Sequence, residues 1–404
     1  MINIGLLGLG TVGTAVVEIL DKRHEEFKSL TGHDIIIKKV LVKDGTKKRS
    51  VNLPIGTIIT DFEEILEDNS VNIIVEVTGD LELSYKYITD ALKAGKHVVT
   101  ANKAVVSRYF EELSSLADDN NLAFLYEASV GGGIPILKTF KEQLALNEIS
   151  EVQGILNGTC NYILTRMVYE DRNYDEVLKI AQDLGYAEVD PTADVEGHDT
   201  LRKLRILGSL ALHGKIGEED ILLGGISNIK SIDIENIKKM NSTIKLIADA
   251  RAVEDGFTAV VQPTIVKNDN YFANINMAYN SVAFKGDNVG ELKFYGSGAG
   301  KLPTANAVLS DVLDIALDTY RKKNPLGKKP LKNFNEKITG QYYLRVSDTN
   351  DEIIHALRGI AKEMVIVGGI TAIVTNEIGL IALNELLSSL NVEKNKFFLA
   401  RILD

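Results

Sequence analysis

The chain has 404 residues, 45% hydrophobic and 25% charged, the balance of a soluble globular protein too long for one core. A formal net charge of −11 argues against a phosphate-tracking nucleic-acid binder and against an anionic membrane surface. The single cysteine, Cys160, excludes an intrachain disulfide. Together with an N-terminus that lacks a basic leader and the absence of any long apolar run, it points to a cytoplasmic protein.

Met1–Leu7 reads as a buried strand that enters Gly8-Leu9-Gly10-Thr11-Val12-Gly13, and a helix is expected over Thr14–Asp21. Strands follow at Ile35–Val42, Val71–Val77, His97–Thr100 and Leu122–Glu127, with helices at Leu83–Ala94 and Arg108–Asp118. That alternation predicts a parallel sheet with helices on both faces. After Gly131-Gly132-Gly133-Ile134-Pro135 the pattern changes. Helices are expected at Ile136–Leu146, Asn161–Glu170, Asp175–Leu184 and Asp199–His213, with a strand at Ser150–Leu156. The segments Phe257–Val266, Ala273–Tyr279, Ser281–Lys285 and Glu291–Tyr295 alternate as an antiparallel sheet with one face covered. A second glycine turn, Gly296–Gly300, precedes a helix over Thr304–Thr319, and the basic stretch 321–337 reads as a linker. The remaining residues give strand (Tyr342–Val346), helix (Asp351–Lys362), two strands (Met364–Val367, Thr371–Thr375), helix (Ile378–Leu390) and strand (Phe397–Ile402), a ferredoxin-like βαββαβ order.

Six stretches carry candidate chemistry. Gly8, Gly10 and Gly13, with Thr11 and Val12 between them, form a GxGxxG turn in strand–loop–helix context. Such a turn brings backbone amides and a helix N-terminus to a pyrophosphate, so a dinucleotide site is expected there. The second strand ends at Val42-Lys43-Asp44. Lys43 suits the phosphate of NADP, whereas Asp44 keeps the ribose of NAD open. Thr78 and Thr100-Ala101-Asn102-Lys103 follow strands at what should be the ligand-binding edge of the sheet. Glu127 with the glycine-rich run to Pro135 combines one carboxylate with several free carbonyls, either an interdomain hinge or a weak monovalent-cation site. Asn157-Gly158-Thr159-Cys160-Asn161 offers polar groups to a substrate or caps a helix, and Cys160 lacks a base partner and reads as a buried thiol. Residues 185–203 hold Glu188, Asp190, Asp194, Glu196 and Asp199, and they end with Lys203 one helical turn after Asp199. The histidines show no zinc spacing.

Taken together, GLGTVG (8–13), TANKA (100–104), EASVGGGIP (127–135), GILNGTCNYILT (154–165), LGYAEVDPTADVEGHDTLRK (184–203) and GSGAGKLPTANAVLSD (296–311) resemble the homoserine dehydrogenase family. The resemblance implies NAD(P)-dependent interconversion of L-aspartate 4-semialdehyde and L-homoserine. By position it makes Lys203 the proton donor, with Lys103 shared between cofactor and substrate. Glu188 and Asp199 hold the amino and hydroxyl ends, with Asp194, Gly158 and Thr159 as further substrate contacts. Gly185 and Gly300 lie near the nicotinamide, and Glu127 with the carbonyls of Val130, Gly132 and Ile134 forms a sodium site. A homodimer or higher homo-oligomer is implied as well.

The expected architecture is α/β throughout. A Rossmann-type domain spans 1–135 with a returning helix from 301–320, and a central α+β catalytic and dimerisation domain spans 136–300. A linker covers 321–337, and a module resembling an ACT domain covers 338–404. In that module Asp348-Thr349-Asn350-Asp351 and the short Gly368-Gly369-Ile370 loop depart from the effector-binding pattern, which speaks against threonine inhibition and for an assembly surface. Two other readings compete. A semialdehyde dehydrogenase working through a thioester needs an activated cysteine that Cys160 does not provide. A sensor of nucleotides and amino acids would not need Glu188, Asp199 and Lys203 in register.

Overall fold

The computed structural model describes residues 1–320 and 330–403; residues 321–329 of the expected linker lie outside them. Packing separates the chain into two units, Met1–Leu146 with Gly296–Lys328, and Asn147–Tyr295 with Lys329–Asp404. The Ile136–Gln143 helix thus belongs to the first unit, and the C-terminal tail belongs to the second.

The first unit is built on six strands: β1 (Ile2–Leu7), β2 (Ile35–Leu41), β3 (Ile58–Ile59), β4 (Ile73–Glu76), β5 (His97–Thr100) and β6 (Phe124–Leu125). Their order is β3-β2-β1-β4-β5-β6, and every neighbouring pair is parallel. This is the doubly wound arrangement, whose switch point between β1 and β4 opens a crevice at the carboxyl ends of the strands. β1 is a near-continuous apolar run because helices cover both faces of a parallel sheet. Ile4, Leu6, Val75 and Val99 from the strands share one core with Val16 and Leu20 of the Thr11–Lys22 helix and with Val308 and Val312 of the returning Lys301–Ala316 helix.

Several boundaries move for identifiable reasons. The helix expected from Arg108 starts at Lys103, because Asn102 caps it by accepting from the amides of Ala104 and Val105. The first helix starts at Thr11 on Gly10, with no side-chain cap. The strand expected over Leu122–Glu127 shrinks to β6, since the Glu127 amide turns to donate to Asp311 Oδ2 at 2.8 Å and a 3₁₀ turn follows over Glu127–Ser129. A helix at His24–Thr31, closed by left-handed Gly32, was not anticipated.

The second unit carries β7 (Ile149–Ile155), β8 (Leu222–Leu223), β9 (Ser242–Val253), β10 (Gly256–Lys267), β11 (Tyr279–Gly286), β12 (Gly290–Ser297), β13 (Lys332–Asn333), β14 (Thr339–Ser347), β15 (Ala361–Val367), β16 (Ile370–Thr375), β17 (Ile378–Gly379) and β18 (Phe397–Leu403). The long sheet runs β12-β11-β7-β9-β10-β18-β14-β16-β15. Its pairs are antiparallel from β11 to β10 and again from β18 to β15, and the β10–β18 join is parallel. The tail runs strand, helix, two strands, the two-residue β17, helix and strand, so β17 interrupts the expected order where a helix was expected from Ile378. The tail strands β14, β15, β16 and β18 extend the central sheet.

The sequence reading did not anticipate β9 or the Ser231–Lys239 helix. Strand β9 is buried from Ser242 to Ala250 although it carries Lys245 and Asp249, so no polar face alternates with an apolar one to reveal it. The strand expected over Ala273–Tyr279 is instead a 3₁₀ turn at Tyr271–Asn274 followed by a loop up to β11. There Asn270 accepts from the Phe272 amide at 2.9 Å and Met277 has φ of 58°, local asparagine and turn geometry that replaces a ladder. Among the described residues no helix is long and apolar enough to cross a membrane.

Candidate active site

The glycine loop of the first unit is built for close approach. Gly8 has φ of +100°, and a Cβ there would stand 3.1 Å from the Val77 carbonyl oxygen. A Cβ on Gly13 would stand 2.1 Å from the Gly8 carbonyl oxygen, so the helix can seat on the loop only with glycine at that position. Gly10 faces open space within 4 Å. No protein packing demands glycine there, and the uncapped helix start at Thr11 leaves amides and the positive dipole end for a ligand. The loop therefore fits a pyrophosphate.

Beyond β2, the exposed Lys43 is followed by Asp44, whose carboxylate accepts from the Thr46 amide at 2.8 Å and hydroxyl at 2.6 Å. Those bonds hold the Asp44 carboxyl below its ordinary range. The Arg49 guanidinium donates to the Leu9 carbonyl at 3.3 Å and to the Asp44 carbonyl at 3.0 Å. It is thereby pinned beside the glycine loop, a placement that the sequence alone did not single out.

Glu76 organises the carboxyl edge of β4 and β5. It is fully buried; Oε1 accepts from the Thr78 amide (2.7 Å), the Thr78 hydroxyl (2.6 Å) and Ser84 (2.8 Å), and Oε2 accepts from Thr100 (2.6 Å). Asn102 joins this network by donating its side-chain amide to the Asp80 carbonyl and to Ser84. One carboxylate thus ties Thr78 to Thr100 and fixes the turn that launches Lys103. The available signal was an acidic residue ending an apolar strand.

Glu127 is buried, and both of its carboxylate oxygens serve a helix: Oε1 accepts from the Leu137 amide at 3.0 Å and Oε2 from the Lys138 amide at 2.7 Å. Burial still pushes its carboxyl up, and the buried Asp311 beside it is pushed up further by burial and by the Glu127 charge. The Ile134 carbonyl accepts from the Ile136 amide at 2.8 Å, and no amide among the described residues donates to the carbonyls of Val130 or Gly132. Gly132 lies so close to the Gly298–Ala299 peptide that a Cβ would meet it at 2.5 Å. Gly300, with φ of 123°, starts the returning helix.

In the second unit the Lys203 side chain lies almost wholly inside the protein. Its ammonium donates to Asp199 Oδ2 and to the Leu156 carbonyl, both at 2.7 Å. The i,i+4 spacing on the His198–Ala211 helix sets the first bond, and the end of β7 supplies the second. Asn157 completes the cluster. Its Oδ1 caps the Gly158–Glu170 helix at the Cys160 amide, while its Nδ2 donates to Asp194 Oδ1 (2.6 Å) and Asp199 Oδ2 (2.9 Å). Asp194, undecided from the sequence, is thus linked to Asp199 through one amide. Thr159 donates to the Tyr186 carbonyl at 2.6 Å, which holds the 185–190 loop by its backbone. Cys160 is fully buried; its thiol donates to the Asp194 carbonyl at 3.1 Å and is pushed well up by burial, the state of a structural cysteine.

Glu188 stands apart from this cluster: it is exposed, and its backbone carbonyl accepts from Gln182. Gly185, with φ of 77°, is exposed on the same loop. Asp190 accepts from the Thr192 amide and hydroxyl at the start of a short turn, a structural role. Among the described residues no group of three or more His, Cys, Asp or Glu is arranged to hold a metal ion.

A doubly wound unit with a glycine loop shaped for a pyrophosphate, joined in one chain to a unit holding a buried lysine bonded to a carboxylate, is the kind of arrangement a nicotinamide-dependent oxidoreductase uses. Comparison with known proteins narrows the class. Residues 8–127 match the homoserine dehydrogenase NAD-binding domain, and residues 135–313 match the homoserine dehydrogenase domain. The chain belongs to the homoserine dehydrogenase family. It is 44% identical to the homoserine dehydrogenase of Bacillus subtilis over 78% of this chain and 72% of that one, and 44% identical to the one from Synechocystis over 87% and 80%. Among solved structures, the homoserine dehydrogenase of Thiobacillus denitrificans superposes with a TM-score of 0.90 at 34% identity, covering 100% of this chain and 98% of that one. A hyperthermophilic archaeal homoserine dehydrogenase in complex with NADPH superposes with a TM-score of 0.64 at 25% identity, covering 78% of this chain and 98% of that one.

Proposed function

We propose that the chain interconverts L-aspartate 4-semialdehyde and L-homoserine, the oxidoreductase step that commits a four-carbon amino acid toward threonine, methionine and isoleucine. Lys203 is the proton donor. The observation that carries this reading is the buried Lys203 ammonium, bonded to Asp199 beside Asn157 and Asp194. A nicotinamide cofactor, when bound, would supply the hydride to the carbonyl carbon. As the carbon–oxygen π pair moves onto oxygen, Lys203 gives that oxygen its proton, and in the oxidative direction it takes the proton back. Asp199 orients the ammonium, and Asp194 with Asp199 offers negative charge to the substrate ammonium; Glu188 serves from its exposed loop. Gly8, Gly10, Thr11, Val12 and Gly13 hold the pyrophosphate, and Thr78, Thr100, Lys103, Gly185 and Gly300 serve the nicotinamide end. Mixing the purified protein with homoserine and NAD⁺ or NADP⁺ should raise the absorbance of the reduced cofactor. A flat trace with both cofactors, in sodium and in potassium, would overturn the proposal.

NADP is the preferred cofactor in this reading. Arg49 sits beside the loop with Lys43 close by, and the Asp44 carboxylate is already engaged by Thr46. Replacing Arg49 by alanine should raise KM for NADP by about tenfold, the worth of a charge-assisted phosphate contact, and leave KM for NAD almost unchanged. An equal rise for both cofactors would remove the preference.

A monovalent cation such as sodium would draw mainly on the carbonyls of Val130 and Gly132, because the Glu127 carboxylate is committed to helix amides and the Ile134 carbonyl to Ile136. The protein works in the cytoplasm as a homodimer formed through the antiparallel sheet of the second unit, and the tail contributes to assembly. Light scattering that returned a monomer would refute this part.

A further inference from the structure

We propose that Asn280 is a further substrate-binding residue, whose side-chain amide pairs with the carboxylate of a small zwitterionic amino acid seated at the start of the Gly158–Glu170 helix. The inference rests on the dehydrogenase reading above and adds a contact to the same site.

Asn280 is 1% exposed, yet neither its amide nitrogen nor its carbonyl oxygen has a hydrogen-bond partner among the described residues. Burying an amide unpaired is unfavourable, and native proteins rarely leave both of its ends empty. Its polar neighbours in the loop before β11 are already paired. Asn161 donates to the carbonyls of Ile275 (3.1 Å) and Tyr279 (2.9 Å). Lys245, 1% exposed, donates to the Ile275 carbonyl (2.5 Å), to Asn276 Oδ1 (3.0 Å) and to Asn161 Oδ1 (3.3 Å). The Met277 amide donates to Thr165. The loop leading into β11 is therefore locked, and Asn280 is held in place without being paired.

Its position names the ligand. Asn280 lies one step beyond the Ser281–Ile155 pair of β11 and β7, which sets it across from Leu156, whose carbonyl receives Lys203. A Cβ on Gly158 would stand 3.5 Å from Asn280 Oδ1 and 2.7 Å from the Ala278 carbonyl oxygen, so glycine at 158 brings the helix start against the amide. That helix has 13 residues; its Cys160 amide is capped by Asn157, while the Gly158 and Thr159 amides take no acceptor among the described residues. Free helix amides and an asparagine NH₂ together suit a carboxylate. Asp194 and Asp199, joined through Asn157, suit the ammonium of the same molecule. The arrangement reads both ends of an α-amino acid.

The test uses the full-length enzyme with Asn280→Leu and Asn280→Ala. Both variants should raise KM for homoserine by about tenfold or more, the loss of one hydrogen bond to a charged group, and leave KM for the cofactor unchanged. Neither should lower the melting temperature of the ligand-free protein, since an unpaired amide has been removed, and the upward shift that homoserine produces in the wild type should vanish. A folded variant whose homoserine KM stays within about twofold of wild type overturns the proposal. Unfolding of both variants overturns it too, by making Asn280 a packing residue. A wild-type enzyme that does not turn over homoserine would instead defeat the dehydrogenase reading itself.

Discussion

Replacing Lys203 by methionine should lower kcat by about 10²- to 10⁴-fold, the usual worth of a positioned general acid, while the affinity for NADPH stays within about twofold. Methionine keeps most of the apolar stem that fills the buried site and removes only the ammonium. The nucleotide loop belongs to the other unit, at Gly8–Gly13, which is why cofactor binding should survive. The loss should appear in kcat more than in KM, because the proton is needed most as charge develops on the carbonyl oxygen. Asp199 keeps its bond from Asn157, but it loses the cation that faced it at 2.7 Å. Some loss of stability is therefore expected, and circular dichroism should accompany the kinetics. A folded Lys203→Met enzyme with near-normal turnover would remove Lys203 from the mechanism, and the proton donor would then have to be sought elsewhere.

What could be read in advance follows from how local each constraint is. The glycine loop was legible because its requirements lie within six residues: a tight turn, a close approach and a helix start. The Asp199–Lys203 pair was legible because one helix carries both. Asn157 was readable only as a cap. Its oxygen does cap the helix at Cys160, but its nitrogen ties together two aspartates 37 and 42 residues away, and no spacing announces that. Glu76 was hidden for a similar reason, since its partners come from two different strand–helix turns that only the parallel sheet brings together. Strand β9 was missed because its charged residues point into the protein, where Asp249 receives Arg251 and Gln153, and Lys245 meets three oxygen acceptors. A pattern that reads polar residues as exposed passes over such a strand.

A buried ion pair ties the tail to the Ser231–Lys239 helix, and breaking that pair from one side should be strongly destabilising. Arg345 on β14 and Asp233 on the Ser231–Lys239 helix are both fully buried, with Nε at 2.8 Å from Oδ1 and 3.1 Å from Oδ2. Arg345 also donates to the Asn228 carbonyl (2.7 Å) and to Ser347 (2.9 Å), and Tyr343 donates to Asp233 at 2.9 Å. Replacing Arg345 by leucine should cost about 3–5 kcal/mol, because it strands a buried carboxylate, whereas the double change Arg345→Leu with Asp233→Leu should recover much of the loss. The pH dependence has a definite sign. Burial already pushes the Asp233 carboxyl above its ordinary range, with Arg345 the main force holding it down, so removing the guanidinium raises it further. A folded-state carboxyl raised above its unfolded value favours the native state at low pH and disfavours it as pH climbs through the folded value. The melting-temperature deficit of Arg345→Leu should therefore shrink as pH is lowered from neutral toward 5, until acid denaturation of the whole protein intervenes. A deficit that is constant with pH, or a double variant no more stable than the single one, would show that the pair acts by packing rather than by charge. The same geometry predicts the fate of a chain cut at residue 337. It would lose β18 from the edge of β10 and leave Asp233 without its cation, so the central sheet should not fold independently of the tail.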